Sequence, residues 1–159
     1  MARRVSFVEL AVAATALVLL FVALHGWGSH APSVWRASWT RTPGVVNPDV
    51  TPATIAETIC ARGWTRTIRP PTDYTNDLKL KQLREYGFPD GPRQYQEDHL
   101  ISLELGGDPD DPRNLWPERR PRAEQVDVIE NELNDKICSG EITLREGQRR
   151  ISAIKHTDG

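Results

Sequence analysis

Apolar residues follow different rhythms in different parts of this chain, and the longest unbroken run comes first. From Leu10 to Leu24 the sequence reads LAVAATALVLLFVAL, behind Arg3 and Arg4. A run of this length behind basic residues is an export signal, either a cleaved signal peptide or an uncleaved anchor. Small residues after Leu24 are poorly spaced for cleavage, which favours an anchor over residues 1–28, with Glu9 as an internal cost if the span starts near Val5. Arg3 and Arg4 would then remain cytoplasmic and everything after Trp27 would lie outside.

Residues 29–54 keep no period and are broken by Pro32, Pro43, Pro48 and Pro52, as expected of an extended linker. Trp35 and Trp39 are its exceptions, expected either to pack on the domain or to lie at a membrane surface. Residues 55–155 look like a folded domain. After an irregular start (TICARGWTRTIRPPTDYT), Thr75 is placed to cap a helix through Tyr86, with Leu80, Leu83 and Leu78 facing inward and Gly87 ending it. In QYQEDHLISLEL the apolar residues Tyr95, Leu100, Leu103 and Leu105 partly alternate, so a strand or hairpin is expected up to Gly106–Gly107.

Beyond a polar loop the period changes again. Ala123, Val126, Ile129, Leu133 and Ile137 recur at three- and four-residue steps, an amphipathic helix that Ser139–Gly140 ends. Thr143-x-x-Glu146 is a capping box for a last helix, with Leu144, Ile151 and Ile154 on its inner face. The order helix, short β unit, loop, helix, helix predicts a small α+β domain.

Composition adds two constraints. Hydrophobic content of 38% with 26% charged residues fits one soluble body beyond the apolar start. The two cysteines, Cys60 and Cys138, stand far apart and in no zinc-ligand spacing. Outside the cytoplasm they are expected to form one structural disulfide, the other reading being two buried thiols.

Candidate chemistry concentrates in QEDHLISLELGGDPDDPRNLWPE, residues 96–118. Asp98 is of the type that holds a hard divalent cation, and His99, mostly neutral near pH 7, can accept a proton from water. Successive strand residues point to opposite faces, so the pair can share one target only through a bend or bulge. Asn114 can orient the imidazole or offer its carbonyl oxygen to a metal. Trp116 reads as a core plug, and the Asp-His pair taken alone reads as an ordinary hydrogen-bonded surface pair.

EDHLISLELGG followed by NLWPE resembles the HNH nuclease motif of the ββα-metal fold, as found in small, often exported bacterial HNH endonuclease-like proteins. NPDVTPATIAETIC, GWTRTIRPPTDYTNDLKLKQLREYG and ENELNDKICSGEITLREGQ look like the same group, so the resemblance spans most of residues 47–154. It implies a ββα-metal (HNH-like) core with flanking helices over residues 55–155, preceded by an N-terminal transmembrane or signal helix. It also implies phosphodiester hydrolysis assisted by one divalent cation: Mg²⁺ first, with Mn²⁺, Ni²⁺ or Zn²⁺ as alternatives. Carried over residue by residue, Asp98 is a metal ligand, His99 the general base and Asn114 the motif's asparagine, catalytic or metal-binding.

The chain departs from the pattern in two places. A typical motif has a His or Asn ligand where this chain has Ala123, and the resembling group has a Lys-Asp pair where this chain has Val126-Asp127. Asp127 or Glu130, one turn apart, would have to complete the metal site. Loss of the lysine would remove charge stabilisation at the scissile phosphate, so weakened activity is one expectation.

Net charge of −2 and a pI near 6.1 give no global basic field. Nucleic acid, DNA in preference to RNA, would have to meet local patches: Arg62/Arg66/Arg69, Lys79/Lys81/Arg84 and the arginines at 119, 120 and 122. The expected protein is a single-pass membrane protein with an extracytoplasmic C-terminal domain, or a secreted one. The competing expectation is a non-catalytic envelope scaffold or binding protein that keeps the fold.

Overall fold

The computed structural model describes residues 35–157; the expected signal or anchor segment lies outside them. Within them the chain forms a small α+β domain with one two-stranded antiparallel sheet. Helix α1 is Trp64–Ile68, α2 Thr72–Tyr86, strand β1 Tyr95–His99, β2 Leu115–Arg119, α3 Arg120–Cys138 and α4 Leu144–Thr157. Strand β2 runs straight into α3, with Pro121 in the first turn, where a missing N–H costs nothing.

The helices follow the apolar stripes. Ala123, Val126, Leu133 and Ile137 are buried along α3, and Leu144 and Ile151 along α4, with Ile129 and Ile154 half-buried beside them. Gly87 ends α2 in the left-handed conformation, at φ 68°, and the Thr143 hydroxyl accepts the Glu146 N–H as the α4 cap. Leu80 is exposed, contrary to expectation, because Leu78, Gln82 and Leu83 share the buried face of α2 and Leu80 lies two residues round the helix from Leu78. Helix α2 also starts earlier than expected, at Thr72, and Thr75 bonds back to the Thr72 carbonyl instead of capping.

The β unit differs more. Strand β1 ends at His99, and the residues from Leu103 to Leu105 form a 3₁₀ turn, not strand. The partner strand is LWPER, beyond the polar loop, in the register Asp98 opposite Trp116 and His99 opposite Leu115. Pro117 disguises β2 in the sequence. A two-stranded sheet has only edge strands, and there proline's missing N–H can face away from the partner.

The segment from Trp35 to Thr54 is extended but docked on the domain. Ala37 donates to the Lys155 carbonyl (2.9 Å), Val46 bridges Gly107, and Trp35 packs edge-on to Phe88 at 5.3 Å. Cys60 and Cys138 form the disulfide, joining the segment before α1 to the end of α3 across 78 residues. Removing a link across so long a loop frees the unfolded chain. Cys60→Ser/Cys138→Ser is therefore expected to lose ~2–4 kcal/mol, read as a lower denaturation midpoint than the oxidised wild type.

Candidate functional site

The loop between β1 and β2 depends on Asn114. Its side chain is fully buried and bonded to backbone throughout: the amide oxygen accepts from Ile101 N (3.0 Å) and Val45 N (3.3 Å), and the nitrogen donates to Ile101 O (3.0 Å) and Asp108 O (2.8 Å). Neither amide atom is left for an imidazole or a cation, so Asn114 builds the loop and does not take the orienting or ligating role expected of it. Gly107 makes this closure fit. A Cβ there would lie 1.8 Å from the Ile101 carbonyl oxygen and 2.7 Å from Asn114 Nδ2. Gly106, at φ 77°, takes the left-handed turn before it.

The closed loop holds His99. Its Nε2 lies 3.0 Å from the Pro109 carbonyl, which can only accept, so Nε2 carries the proton and Nδ1 is the ring's acceptor. Burial lowers the pKa of the imidazole, which keeps it neutral at pH 7. His99 and Asp98 both line one cleft of about 390 Å³, together with Ser102, Glu104, Asp127, Glu130, Arg69 and residues of α1 and α3. No bulge was needed to bring them together: pairing is one-to-one to the end of β1, and the cleft wraps round that end.

At the base of the cleft stands a residue that the sequence reading passed over. Lys155, on α4, is fully buried and donates to Asp98 Oδ2 (2.7 Å) and to the His99 carbonyl (2.7 Å). Its ammonium also lies 2.7 Å from Glu130 Oε1 and 3.2 Å from Glu118 Oε2. A signal existed. Lys155 falls four residues after Ile151 on the apolar stripe of α4, and Glu130 falls between Val126 and Leu133 on that of α3. Each core-facing stripe thus carries one charge, of opposite sign.

These charges set each other. Burial would raise Asp98, but the Lys155 ammonium and hydrogen bonds from Glu118 and Lys155 hold it well below the ordinary carboxylate range. Burial pushes Glu118 up to about 9 and Glu130 up to about 7, against the pull of Lys155. Burial works against the charged form of Lys155, and Asp98, Glu130 and Glu118 overcome it, holding the pKa well above its ordinary value. Nearer the mouth of the cleft, burial and then Asp127 raise Glu104, and burial and then Asp98 raise Asp127.

The oxygen donors of the cleft suit a hard cation in type. They do not fit one as arranged. Among the described residues no three Asp, Glu, His or Cys side chains stand close enough to hold a metal ion, and the carboxylate expected to lead the set is already bound to Lys155.

Glu118 and Glu130 bind protons in the folded state at pH values where the unfolded chain, near 4.5, has released them. Their contribution to stability is therefore full below about pH 4.5 and is lost as pH rises through the folded values. His99 acts oppositely, but only up to about its unfolded value of 6.5. The melting temperature is thus expected to fall from pH 7 to pH 9, and less steeply in Glu118→Gln, by thermal scans across that range.

No family model, curated protein or solved structure matches the chain.

Proposed function

We propose that the cleft around His99 hydrolyses phosphodiester bonds in nucleic acid, DNA in the first instance, as an HNH-type endonuclease held at a membrane or secreted. The observation that carries this reading is the imidazole itself: one nitrogen fixed to the Pro109 carbonyl, the other an acceptor, in a cleft large enough for a phosphodiester. A strand-loop-strand leading directly into a helix, with Asp98 and His99 at the end of the first strand, also agrees with the ββα order that the sequence resemblance implies. His99 would take a proton from an attacking water, and Arg69, exposed at the rim, would meet a phosphate oxygen. The net charge of −2 makes local contacts of this kind the main source of affinity.

A divalent cation, Mg²⁺ before Mn²⁺, Ni²⁺ or Zn²⁺, remains the cofactor that this reading calls for. The test is cleavage of supercoiled plasmid by the full-length oxidised chain in each metal and in EDTA, with His99→Ala beside wild type. Metal-dependent cleavage that falls at least ~10²-fold in His99→Ala is the expected result. Cleavage that persists in EDTA would remove the cation from the reading.

One observation favours a second reading, a non-catalytic envelope scaffold. Asp98 is tied to Lys155, and a charged residue so engaged serves packing as well as chemistry. Folded wild-type protein that cleaves neither plasmid nor single-stranded nucleic acid in any of these metals would decide for the scaffold.

A further inference from the structure

The fold regroups the basic patches expected from the sequence. Lys81 is ion-paired with Glu85 on α2 (3.8 Å), and Arg119 with Asp90 (3.3 Å) while its guanidinium lies over the Trp35 ring. Lys79, Arg93 and Arg120 instead line one open groove of about 320 Å³ with Asn76, Leu80 and Pro92. Its walls come from α2, the 3₁₀ turn Pro92–Gln94 and the first residue of α3. The Arg120 Nε–H donates to the Arg93 carbonyl (3.1 Å), and Lys79 donates to Asn76 Oδ1 (3.2 Å). Among the described residues none of the three cations is ion-paired. Glu97, whose charged form Lys79 favours, is pushed up to about 9 by burial and is protonated at neutral pH, so it does not cancel the lysine.

We propose that this groove seats the sugar–phosphate backbone of DNA outside the cleft, with phosphate oxygens on Lys79, Arg93 and Arg120 and deoxyribose carbons on Leu80 and Pro92. Both parts of the lining are then used. Leu80 is exposed although apolar, and a sugar ring covers it without bringing a polar group that it cannot serve. An acidic peptide would match the charge, but its backbone N–H and C=O groups would meet the same apolar surface unpaired. Free phosphate would leave that surface in water.

The inference rests on nucleic acid being the substrate and adds a second place of contact. Strand β1 runs from Tyr95, next to the turn that carries Arg93, to His99 at the cleft. Its length, roughly 13 Å at about 3.3 Å per residue, equals about four steps of a duplex strand, a span that one bound duplex covers.

The test is fluorescence anisotropy of a labelled DNA duplex with the full-length oxidised chain across a salt series, in EDTA so that metal-dependent cleavage does not intervene. Lys79→Gln/Arg120→Gln is expected to bind at least ~10-fold more weakly than wild type, with the slope of log K against log salt shallower by about 0.9 for each cation removed. Leu80→Asn is expected to weaken binding and leave the slope unchanged. Should the double variant lose its helical circular dichroism, Arg120→Gln, a change to an exposed side chain, carries the same test with the slope of one cation. Unchanged affinity and slope in the folded variant overturn the proposal and leave the nuclease reading standing. Weakened binding in a chain that cleaves nothing supports the groove and removes the nuclease alone. Wild type that binds no duplex at low salt overturns both. Polyglutamate that displaces the duplex as well as unlabelled duplex does at equal charge also overturns the proposal, because the groove would then read charge alone.

Discussion

A single buried ammonium joins the last helix to both strands and to α3. Lys155 brings α4 against both strands of the hairpin and against α3, and its backbone carbonyl receives Ala37 of the extended N-terminal segment. His156 continues the contact, with Nε2 3.0 Å from the Thr42 carbonyl and its ring stacked on Trp39. Burying a charge is costly unless it is paired and hydrogen-bonded, and the cost of losing one partner exceeds the net gain of the pair. The fold is therefore held to one arrangement of these elements. Any shift of α4 along its axis would leave the ammonium and its carboxylates unsatisfied together, whereas a purely apolar stripe would tolerate some slippage.

The same restraint reaches the cleft. Lys155 bonds to the backbone of His99 as well as to the side chain of Asp98, and Asn114 and the Pro109 carbonyl fix the loop and the imidazole from the other side. The position of His99 is thus determined from two directions by groups that do not themselves need to touch a substrate. Such support is what keeps a reacting side chain within the small tolerances that chemistry requires. The same support serves a rigid scaffold.

How much of this could be read from the sequence varied with the period of the pattern. Helices α3 and α4 were legible because their stripes repeat over several turns, and their ends carry Ser139–Gly140 and Thr143. Strand β2 was not, since LWPER is short and carries Pro117, and its partner lies across a loop that no local rule spans. Asp98, His99 and Asp127 were expected to share one site, and they do line one cleft. Asn114 was legible as important and misread in its role, because an asparagine's residue type does not say whether its amide will face a cavity or close a loop. The docked segment before Ile55 was hidden by its prolines, which favour extended chain without saying what that chain lies against.

The resemblance led to the expectation of a lysine at the position of Val126, and its loss suggested a site short of positive charge. The structure supplies a positive charge from another element: Val126 packs in the core, and Lys155 brings an ammonium to Asp98 from α4. The two positions are not equivalent. A lysine on α3 would stand on the same helix as Glu130, while one on α4 couples the charge balance of the cleft to the docking of the C-terminal helix. Burial leaves that ammonium no path to a phosphate in the cleft, so it cannot replace a charge that contacts substrate. It acts instead on the charge of Asp98, Glu118 and Glu130 and on the position of His99. On the nuclease reading, direct contact between a positive group and a phosphate in the cleft would fall to Arg69, which lines the cleft, or to an ion.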